Sequence, residues 1–181
     1  VEVAKGTTGA LTYKANWENN QYTVKFHANG GAGKMEDKQY RYDVFYGLPA
    51  NGFTYTGHTF NGWNTKEDGT GDTYTNGANV KNLATGGEVI LYAQWTANRY
   101  TVTFDAHGGS GSMDGFEVTY GEAGQTVPGC AFARPGYTFN GWNTRQDGTG
   151  SGYAVGADLS AITTNLTLFA QWEANTYLVS F

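Results

Sequence analysis

The sequence predicts an α+β protein, predominantly β, built from tandem copies of one small module. The strongest observation is a repeated segment, because residues 61–71 (NGWNTKEDGTG) return as residues 140–150 (NGWNTRQDGTG). Trp63 and Trp142 are thus 79 residues apart, and self-similarity at a fixed period indicates a repeat architecture. The 181 residues include 27 Gly, 13 Tyr, 10 Phe and 5 Trp but only 3 Pro. That composition is typical of short strands, tight turns and an aromatic core.

The boundaries of the repeats follow from a shared ending and a shared beginning. The endings lie at 11–17, 89–95 and 166–172, and the beginnings lie at 22–26, 100–104 and 177–181. Four residues separate each ending from the next beginning, for example residues 96–99. The predicted domains are the tail of one repeat at 1–17, complete repeats at 22–95 and 100–172, and the first strand of a further repeat at 177–181. Since the chain begins without Met and stops within this pattern, we expect a fragment of a longer protein.

The opening strand of each repeat alternates between apolar and polar residues. Tyr22, Val24 and Phe26 share one face, which is the period of a half-buried strand. A second strand is predicted at 39–46 and at 116–120, each ending in Tyr-Gly. On that alignment, the first repeat has four extra residues before this strand and the second repeat has five extra residues after it. Residues 77–83 and 156–162 resemble one helical turn at most.

The aromatic residues are predicted to form the core. Phe60 and Trp63 differ in parity along the third strand, so we expect a bulge at Gly62 that turns Trp63 inward. Trp95 shares a face with Val89 and Leu91 in the last strand, which is central by its pattern. A module of about 74 residues without disulfides has a thin core and needs these rings inside. The predicted core residues are Phe26, Phe60, Trp63, Trp95, Phe104, Phe139, Trp142 and Trp172.

Several classes of function are disfavoured by composition and by comparison of the two repeats. The formal net charge of −5 gives no basic patch for nucleic acid, and no apolar run approaches the ~20 residues of a membrane span. Cys130 is the single cysteine and has no matched base, as a nucleophile would need. His27, His58 and His107 are each replaced in the other repeat. We therefore predict no enzyme activity and no cofactor.

One turn has the oxygen-rich composition of a calcium loop. Asp68 and Asp72 flank a Gly-Thr-Gly turn, and closely spaced oxygen atoms can wrap the ion. Against calcium, Ser151 replaces Asp72 in the second repeat, and no bidentate Glu follows. The alternative is a turn in which the Asp side chain bonds its own backbone, which such sequences favour.

The motifs together resemble a known family. The pattern YTVxFxAxGG, then GxTFxGWNT, then L(Y/F)AQW is similar to the Listeria–Bacteroides repeat, also called the internalin B B-repeat. The resemblance covers nearly the whole chain and occurs twice in full. It implies a β-grasp-like (ubiquitin-like) fold for each module, with the modules arranged end to end. It also implies tandem repeats on a bacterial surface protein, with no family catalytic residues to transfer.

The resemblance implies a non-catalytic stalk or spacer in adhesion or host interaction, extracellular and at the bacterial cell surface or cell wall. The expected partners are neighbouring repeats of the same chain, and weak contacts with a host-surface protein or glycan remain open. Two alternatives also remain: a carbohydrate-binding module, which would need at least two coplanar exposed rings, and an accessory region of a surface enzyme. A third alternative concerns the arrangement of the strands. Residues 11–17 and 22–28 could instead form a hairpin, which would shift the structural unit by one strand.

Overall fold

The protein is all-β in the part of the chain that the structure describes. The computed structural model describes residues 5–6, 8–10, 12 and 14–181 and contains twelve strands. No helix occurs among these residues, so none of them forms a helix that could cross a membrane. The helical part of the predicted α+β class is therefore wrong, while its predominantly β character is confirmed.

The first repeat forms a five-stranded mixed sheet. Its strands are β1 (Gln21–His27), β2 (Lys38–Arg41), β4 (His58–Asn64), β5 (Thr73–Tyr74) and β7 (Gly87–Ala97), in the spatial order β2-β1-β7-β4-β5. The central strand β7 runs parallel to β1 and antiparallel to β4. In addition, β3 (Tyr46–Gly47) pairs with β6 (Asn79–Val80) in a two-stranded ribbon.

The second repeat forms a second sheet with the same order of strands. Its members are β8 (Arg99–Asp105), β9 (Phe116–Thr119), β10 (Tyr137–Asn143), β11 (Gly152–Tyr153) and β12 (Leu166–Ala174), in the spatial order β11-β10-β12-β8-β9. Here β12 is central, parallel to β8 and antiparallel to β10. A single bridge between Thr126 and Asp158 stands where the first repeat has its ribbon. The two sheets are therefore copies of one topology.

The two segments expected to form a helical turn form turns and short pairings instead. Residues 77–83 contain β6, and residues 156–162 contain the bridging Asp158. Gly77 has a φ of 71° and Gly156 a φ of 83°. A right-handed helix requires negative φ, so neither glycine can open one.

The loops between the first two strands are equal in length, contrary to the alignment on Tyr-Gly. Val24 pairs with Lys38 in the first repeat, and Val102 pairs with Phe116 at the same separation in the second. The second strand therefore ends at Arg41 rather than at the predicted 46, and the residue matching Tyr120 is Tyr42. The repeats instead differ by one residue in the loop that follows this tyrosine.

The connection between the sheets is shorter than the predicted four residues. Strand β7 continues to Ala97 and β8 begins at Arg99, so Asn98 alone separates them. The alternative hairpin of 11–17 with 22–28 is also wrong for the described residues, because the strand partners of β1 are β2 and β7. Residues 1–4, 7, 11 and 13 of the predicted N-terminal tail lie outside the described residues. The described residues of 5–20 lie outside any strand, and Trp17 is 90% exposed.

The expected bulge is present in both repeats. The register between β4 and β7 shifts between Phe60 and Gly62, and that between β10 and β12 shifts between Phe139 and Trp142. Gly62 has a φ of 129°, which an L side chain rarely adopts. The shift places Trp63 on the buried face, as the parity argument predicts.

Candidate functional site

The predicted core aromatics lie at two depths. Trp63 and Trp142 are buried at 0% and 1% exposure, respectively. The other predicted residues are half-buried and pack against the same two clusters, one in each repeat. These are Phe26, Phe60 and Trp95 in the first repeat, and Phe104, Phe139 and Trp172 in the second. None of these rings is among the exposed large hydrophobic residues, so the described tryptophans other than Trp17 form no open row for stacking a sugar.

The central indole of each repeat packs within a set of phenylalanine rings. Trp63 meets Phe26 and Phe60 with ring centroids 5.0 Å apart, and Phe53 at 6.1 Å. Burying an indole of this kind stabilises a fold by roughly 1.5–3 kcal/mol. The Nε1 of Trp142 donates to Pro128 O at 3.2 Å, whereas the Nε1 of Trp63 has no partner among the described residues.

A second indole ties the end of the first strand to the last strand. Trp95 Nε1 donates to Ala28 O at 2.8 Å, and Trp172 Nε1 donates to Ala106 O at 2.9 Å. Because these N–H groups are already bonded to the backbone, they fix the turn after the opening strand. This is a structural role that both repeats share.

The asparagine that follows each central tryptophan organises the Asp-Gly-Thr-Gly turn. Asn64 is 1% exposed, and its amide nitrogen donates to Gly69 O, Gly71 O and Thr73 Oγ1 at 3.0–3.1 Å. Its Oδ1 accepts the N–H groups of Lys66 and Gly71 at 2.8 and 3.0 Å. A buried amide that satisfies all of its polar atoms fixes the path of a loop.

A similar network surrounds Asn143 in the second repeat. Its amide nitrogen donates to Gly148 O at 3.1 Å and Gly150 O at 3.3 Å. Its Oδ1 accepts the N–H groups of Arg145 and Gly150 at 2.9 and 3.0 Å. The repeated Trp-Asn-Thr motif therefore has a structural cause.

The geometry of the aspartate turn agrees with an Asp side chain bonded to its own backbone. Asp68 Oδ1 accepts both the N–H of Thr70 at 3.0 Å and its hydroxyl at 2.8 Å. Asp72, the other calcium candidate, uses its backbone N–H to bond Thr65 Oγ1 at 2.9 Å. The described residues contain no group of three or more His, Cys, Asp or Glu side chains that could hold a metal ion.

We expect the turn aspartates to titrate at low pH. The N–H and then the hydroxyl of Thr70 hold the pKa of Asp68 below its ordinary value, and Thr149 does the same for Asp147. A lowered folded-state pKa stabilises the turn above the unfolded-state pKa, and this contribution is lost as pH falls through the folded-state value. The pKa values of Asp68 and Asp147 in the folded protein can be measured from their carboxyl ¹³C chemical shifts during an acid titration.

The matched controls for this titration are Thr70→Ala and Thr149→Ala. Each removes the hydroxyl but leaves the backbone N–H, so the pKa of the neighbouring aspartate should rise part of the way to its ordinary value. Equal pKa values with and without the hydroxyl would contradict this origin of the shift.

The histidines and the cysteine occupy structural positions. His107 and the matched Asn29 have positive φ, and His107 Nδ1 and Asn29 Nδ2 lie 3.1 and 2.9 Å from the equivalent carbonyls of Ala170 and Ala93. The half-buried Cys130 has a pKa raised by burial, which disfavours the thiolate. These contacts give His107 and Asn29 equivalent roles in a turn.

The most specific arrangement in the molecule is the junction at Asn98. Its N–H donates to Gly57 O of the first repeat at 2.8 Å, and its carbonyl accepts the N–H of Tyr120 of the second repeat at 2.9 Å. Its Oδ1 accepts the Thr59 hydroxyl at 2.6 Å, and its Nδ2 donates to the Tyr100 hydroxyl at 3.2 Å. One asparagine thus bonds both repeats through its main chain and its side chain.

An aromatic stack closes the junction. The Tyr120 ring lies against Gly57 so closely that a Cβ at this position would overlap the ring. The same ring meets His58 edge to face at 5.6 Å, and His58 stacks on Tyr55 at 4.0 Å with an interplanar angle of 10°. Three rings from two repeats therefore pack as one cluster around a glycine.

A cleft of about 550 Å³ opens beside this cluster. It is lined by residues 30–32 and 54–56, His58, Tyr120 and Gly121. His58 is the single His, Cys, Asp or Glu side chain of this lining, and its Nδ1 lies 2.9 Å from Thr56 O. The cleft therefore borders the packed joint between the two repeats.

Sequence reasoning overlooked the residues of this joint, although a signal was present. Asparagine occupies the third position of all three predicted linkers, at Asn20, Asn98 and Asn175. Because Tyr120 was aligned with Tyr46 instead of Tyr42, its position at the junction was also missed. Gly57 belongs to the recognised GxTF motif, but its contact lies in the next repeat and cannot be inferred from one module.

Two sheets of one topology, connected by a single residue, define a tandem repeat of small all-β modules. The family model of the Listeria-Bacteroides repeat domain matches residues 22–94 and 100–171. The chain belongs to this family.

Three relatives extend the comparison. A protein of Evansella cellulosilytica described as a Gly-rich membrane protein is 43% identical over 130 residues, covering 70% of this chain and 15% of the relative. A second membrane protein of that organism is 34% identical over 164 residues, covering 89% of this chain and 24% of the relative. Internalin H of Listeria monocytogenes is 36% identical over 123 residues, covering 67% of this chain and 20% of the relative. The chain thus spans less than a quarter of the length of each relative.

Proposed function

We propose that this chain is a non-catalytic spacer in a bacterial cell-surface protein. The observation that carries the proposal is the joint at Asn98, where one residue separates two sheets and bonds both of them. A spacer must hold its modules at fixed relative orientation, and a one-residue connection with packed rings restricts hinging far more than a flexible linker does. Family membership and the similarity to Internalin H support a surface location.

The finer assignments belong to the same proposal. The parallel pairing of the first and last strands, β1 with β7 and β8 with β12, supports a β-grasp-like module. We assign complete repeats to 22–95 and 100–172, the tail of a preceding repeat to 1–17, and the first strand of a following repeat to 177–181. An attachment to the cell wall, a role in adhesion, and a weak host-surface protein or glycan partner are parts of this proposal that rest on the family alone.

A distance measurement can test whether the two repeats keep a fixed orientation relative to each other. Spin labels can be placed on the exposed, equivalent turn residues Glu67 and Gln146 by Glu67→Cys and Gln146→Cys in a Cys130→Ala background. The distance distribution between the labels, measured by electron paramagnetic resonance, should be narrow. A broad distribution in the parent chain would contradict a rigid spacer.

The junction predicts which substitution loosens the spacer. Tyr120→Ala removes the ring that packs on Gly57 and His58, so we expect it to broaden the distance distribution. Tyr42→Ala is the matched control, because Tyr42 occupies the same position in the first repeat and its N–H bonds Asn20 O at 2.7 Å. This control should leave the distribution unchanged, and equal broadening by both substitutions would show that the joint is not held by Tyr120.

A further inference from the structure

The two main-chain contacts of the junction residue Asn98 occur separately at the other two linkers. At Asn98 one face bonds the glycine of the preceding repeat, and the other face bonds the tyrosine of the following repeat. Asn20 forms the second contact, because its carbonyl accepts the N–H of Tyr42 at 2.7 Å. Asn175 forms the first contact, because its N–H donates to Gly136 O at 2.8 Å. Each repeat therefore has one half of a joint at each end.

The glycine-side contacts of Asn175 match those of Asn98. The Thr138 hydroxyl donates to Asn175 Oδ1 at 2.6 Å, the same distance as from Thr59 to Asn98. Asn175 Nδ2 donates to the Tyr177 hydroxyl at 3.5 Å, as Asn98 does to Tyr100 at 3.2 Å. The backbone at Gly136 also has a φ of 77°, close to the 68° of Gly57.

The joints at Asn98 and Asn175 differ in the space next to the glycine, which is Gly57 in the first case and Gly136 in the second. The Tyr120 ring fills the Cβ position of Gly57, whereas at Gly136, apart from its two chain neighbours, no atom of the described residues lies within 4 Å of that position. Tyr137, which matches His58, is 38% exposed, and the guanidinium of Arg134 lies 3.8 Å from its ring centroid. This end of the second repeat therefore presents an exposed surface that includes the Tyr137 ring, on which the Arg134 guanidinium packs.

We propose that Gly136, Tyr137, Thr138 and Asn175 form a docking surface for a tyrosine side chain of a further copy of the repeat. The inference rests on the proposed spacer function and identifies how the array continues. The tyrosine is the one that follows the second strand of that copy, equivalent to Tyr42 and Tyr120. Its ring covers Gly136 and meets Tyr137 edge to face, and its N–H bonds the Asn175 carbonyl.

The occupant is a repeat joined at Asn175 rather than a separate second chain. In the complete joint, the carbonyl that accepts the tyrosine N–H belongs to the same asparagine that bonds the glycine. In a separate chain, the N–H of Tyr42 is already bonded to Asn20, so docking in trans would sacrifice that bond. Residues 177–181 (YLVSF) also have the alternation of β1 and β8, and Tyr177, Val179 and Phe181 are exposed. Their burial in a new sheet would supply the apolar driving force.

The test extends the full chain by one repeat. Residues 105–172 are appended after Phe181, so that 177–181 replace residues 100–104 as the opening strand. Spin labels at Gln146 and at its equivalent in the appended copy report the new joint, with Cys130 and its counterpart in the appended copy both replaced by Ala. We expect a distribution as narrow as that across Asn98.

Gly136→Ala distinguishes docking from simple tethering. In the extended chain, the added methyl group should displace the docked tyrosine ring, broaden the new distance distribution and lower the urea midpoint of unfolding. In the unextended chain, the same substitution meets open space, so a smaller shift of the midpoint is expected. Equal shifts in both chains, or an unchanged distribution, would overturn the proposal.

A second extended chain provides an alternative in case the appended copy 105–172 does not fold. Residues 27–95, which carry Tyr42, are appended after Phe181 in place of 105–172. If neither copy folds onto 177–181, the docking proposal fails. A narrow distribution across Asn98 with a broad one across Asn175 overturns this inference alone, whereas broad distributions at both joints overturn the spacer function itself.

Discussion

Asn64→Asp should strongly destabilise the first repeat. The substitution replaces a buried amide nitrogen, which donates to two carbonyls and a hydroxyl, with a carboxylate oxygen that cannot donate. A buried, uncompensated charge costs about 3–5 kcal/mol. We expect the free energy of unfolding of this repeat to fall by about that amount in urea denaturation at neutral pH.

Asn61→Asp is the matched control for this prediction. Asn61 lies three residues earlier in the same strand and is exposed, so the same change in charge should be nearly neutral. Asn143→Asp should destabilise the second repeat slightly less. The amide nitrogen of Asn143 donates to two carbonyls among the described residues, and Asn143 is 7% exposed. A similar cost for Asn61→Asp and Asn64→Asp would contradict the importance of the amide network.

Gly57→Ala is the second substitution with a large expected effect. An L residue in the left-handed region costs roughly 1–2 kcal/mol, and the added methyl group would overlap the Tyr120 ring near its attachment to the backbone. Overpacking of this kind costs typically about 1–3 kcal/mol. Because the ring cannot rotate away at that point, the two repeats should separate, and their unfolding should lose its coupling.

Gly136→Ala separates the two contributions in the same molecule. Its φ of 77° imposes a similar backbone strain, but open space surrounds the Cβ position. The difference between the two variants in free energy of unfolding, measured by urea denaturation of the unextended chain, therefore reports the packing at the joint. If Gly57→Ala costs no more than Gly136→Ala, the Tyr120 contact does not couple the repeats.

The sequence was sufficient for those features that depend on residues close together in the chain. The alternation of Tyr22, Val24 and Phe26 predicts β1, and the parity of Phe60 and Trp63 predicts the bulge between them. Both arguments work because a strand has a period of two and a buried ring must face inward. The repetition of the NGWNT motif predicts that the same solutions occur twice.

Features that depend on distant residues or on irregular backbone were not predictable in the same way. The roles of Gly57 and Tyr120 depend on a contact across two repeats, and their spacing carries no periodic signal. The helical turn predicted near Gly77 is absent because Gly77 has a φ of 71°, outside the helical region, and Asn79–Val80 pair as a strand. The buried role of Asn64 was missed because a polar residue beside a turn is ordinarily exposed.

The symmetry of the joint also bears on how such arrays change length during evolution. Each unit has Gly57 or Gly136 at one end and Tyr42 or Tyr120 at the other, so a whole-unit duplication or deletion in the gene preserves matched ends. A partial deletion within a unit would instead leave a glycine without its ring. In the proposed spacer, recombination can therefore change the length of the array in steps of one unit without requiring compensating mutations.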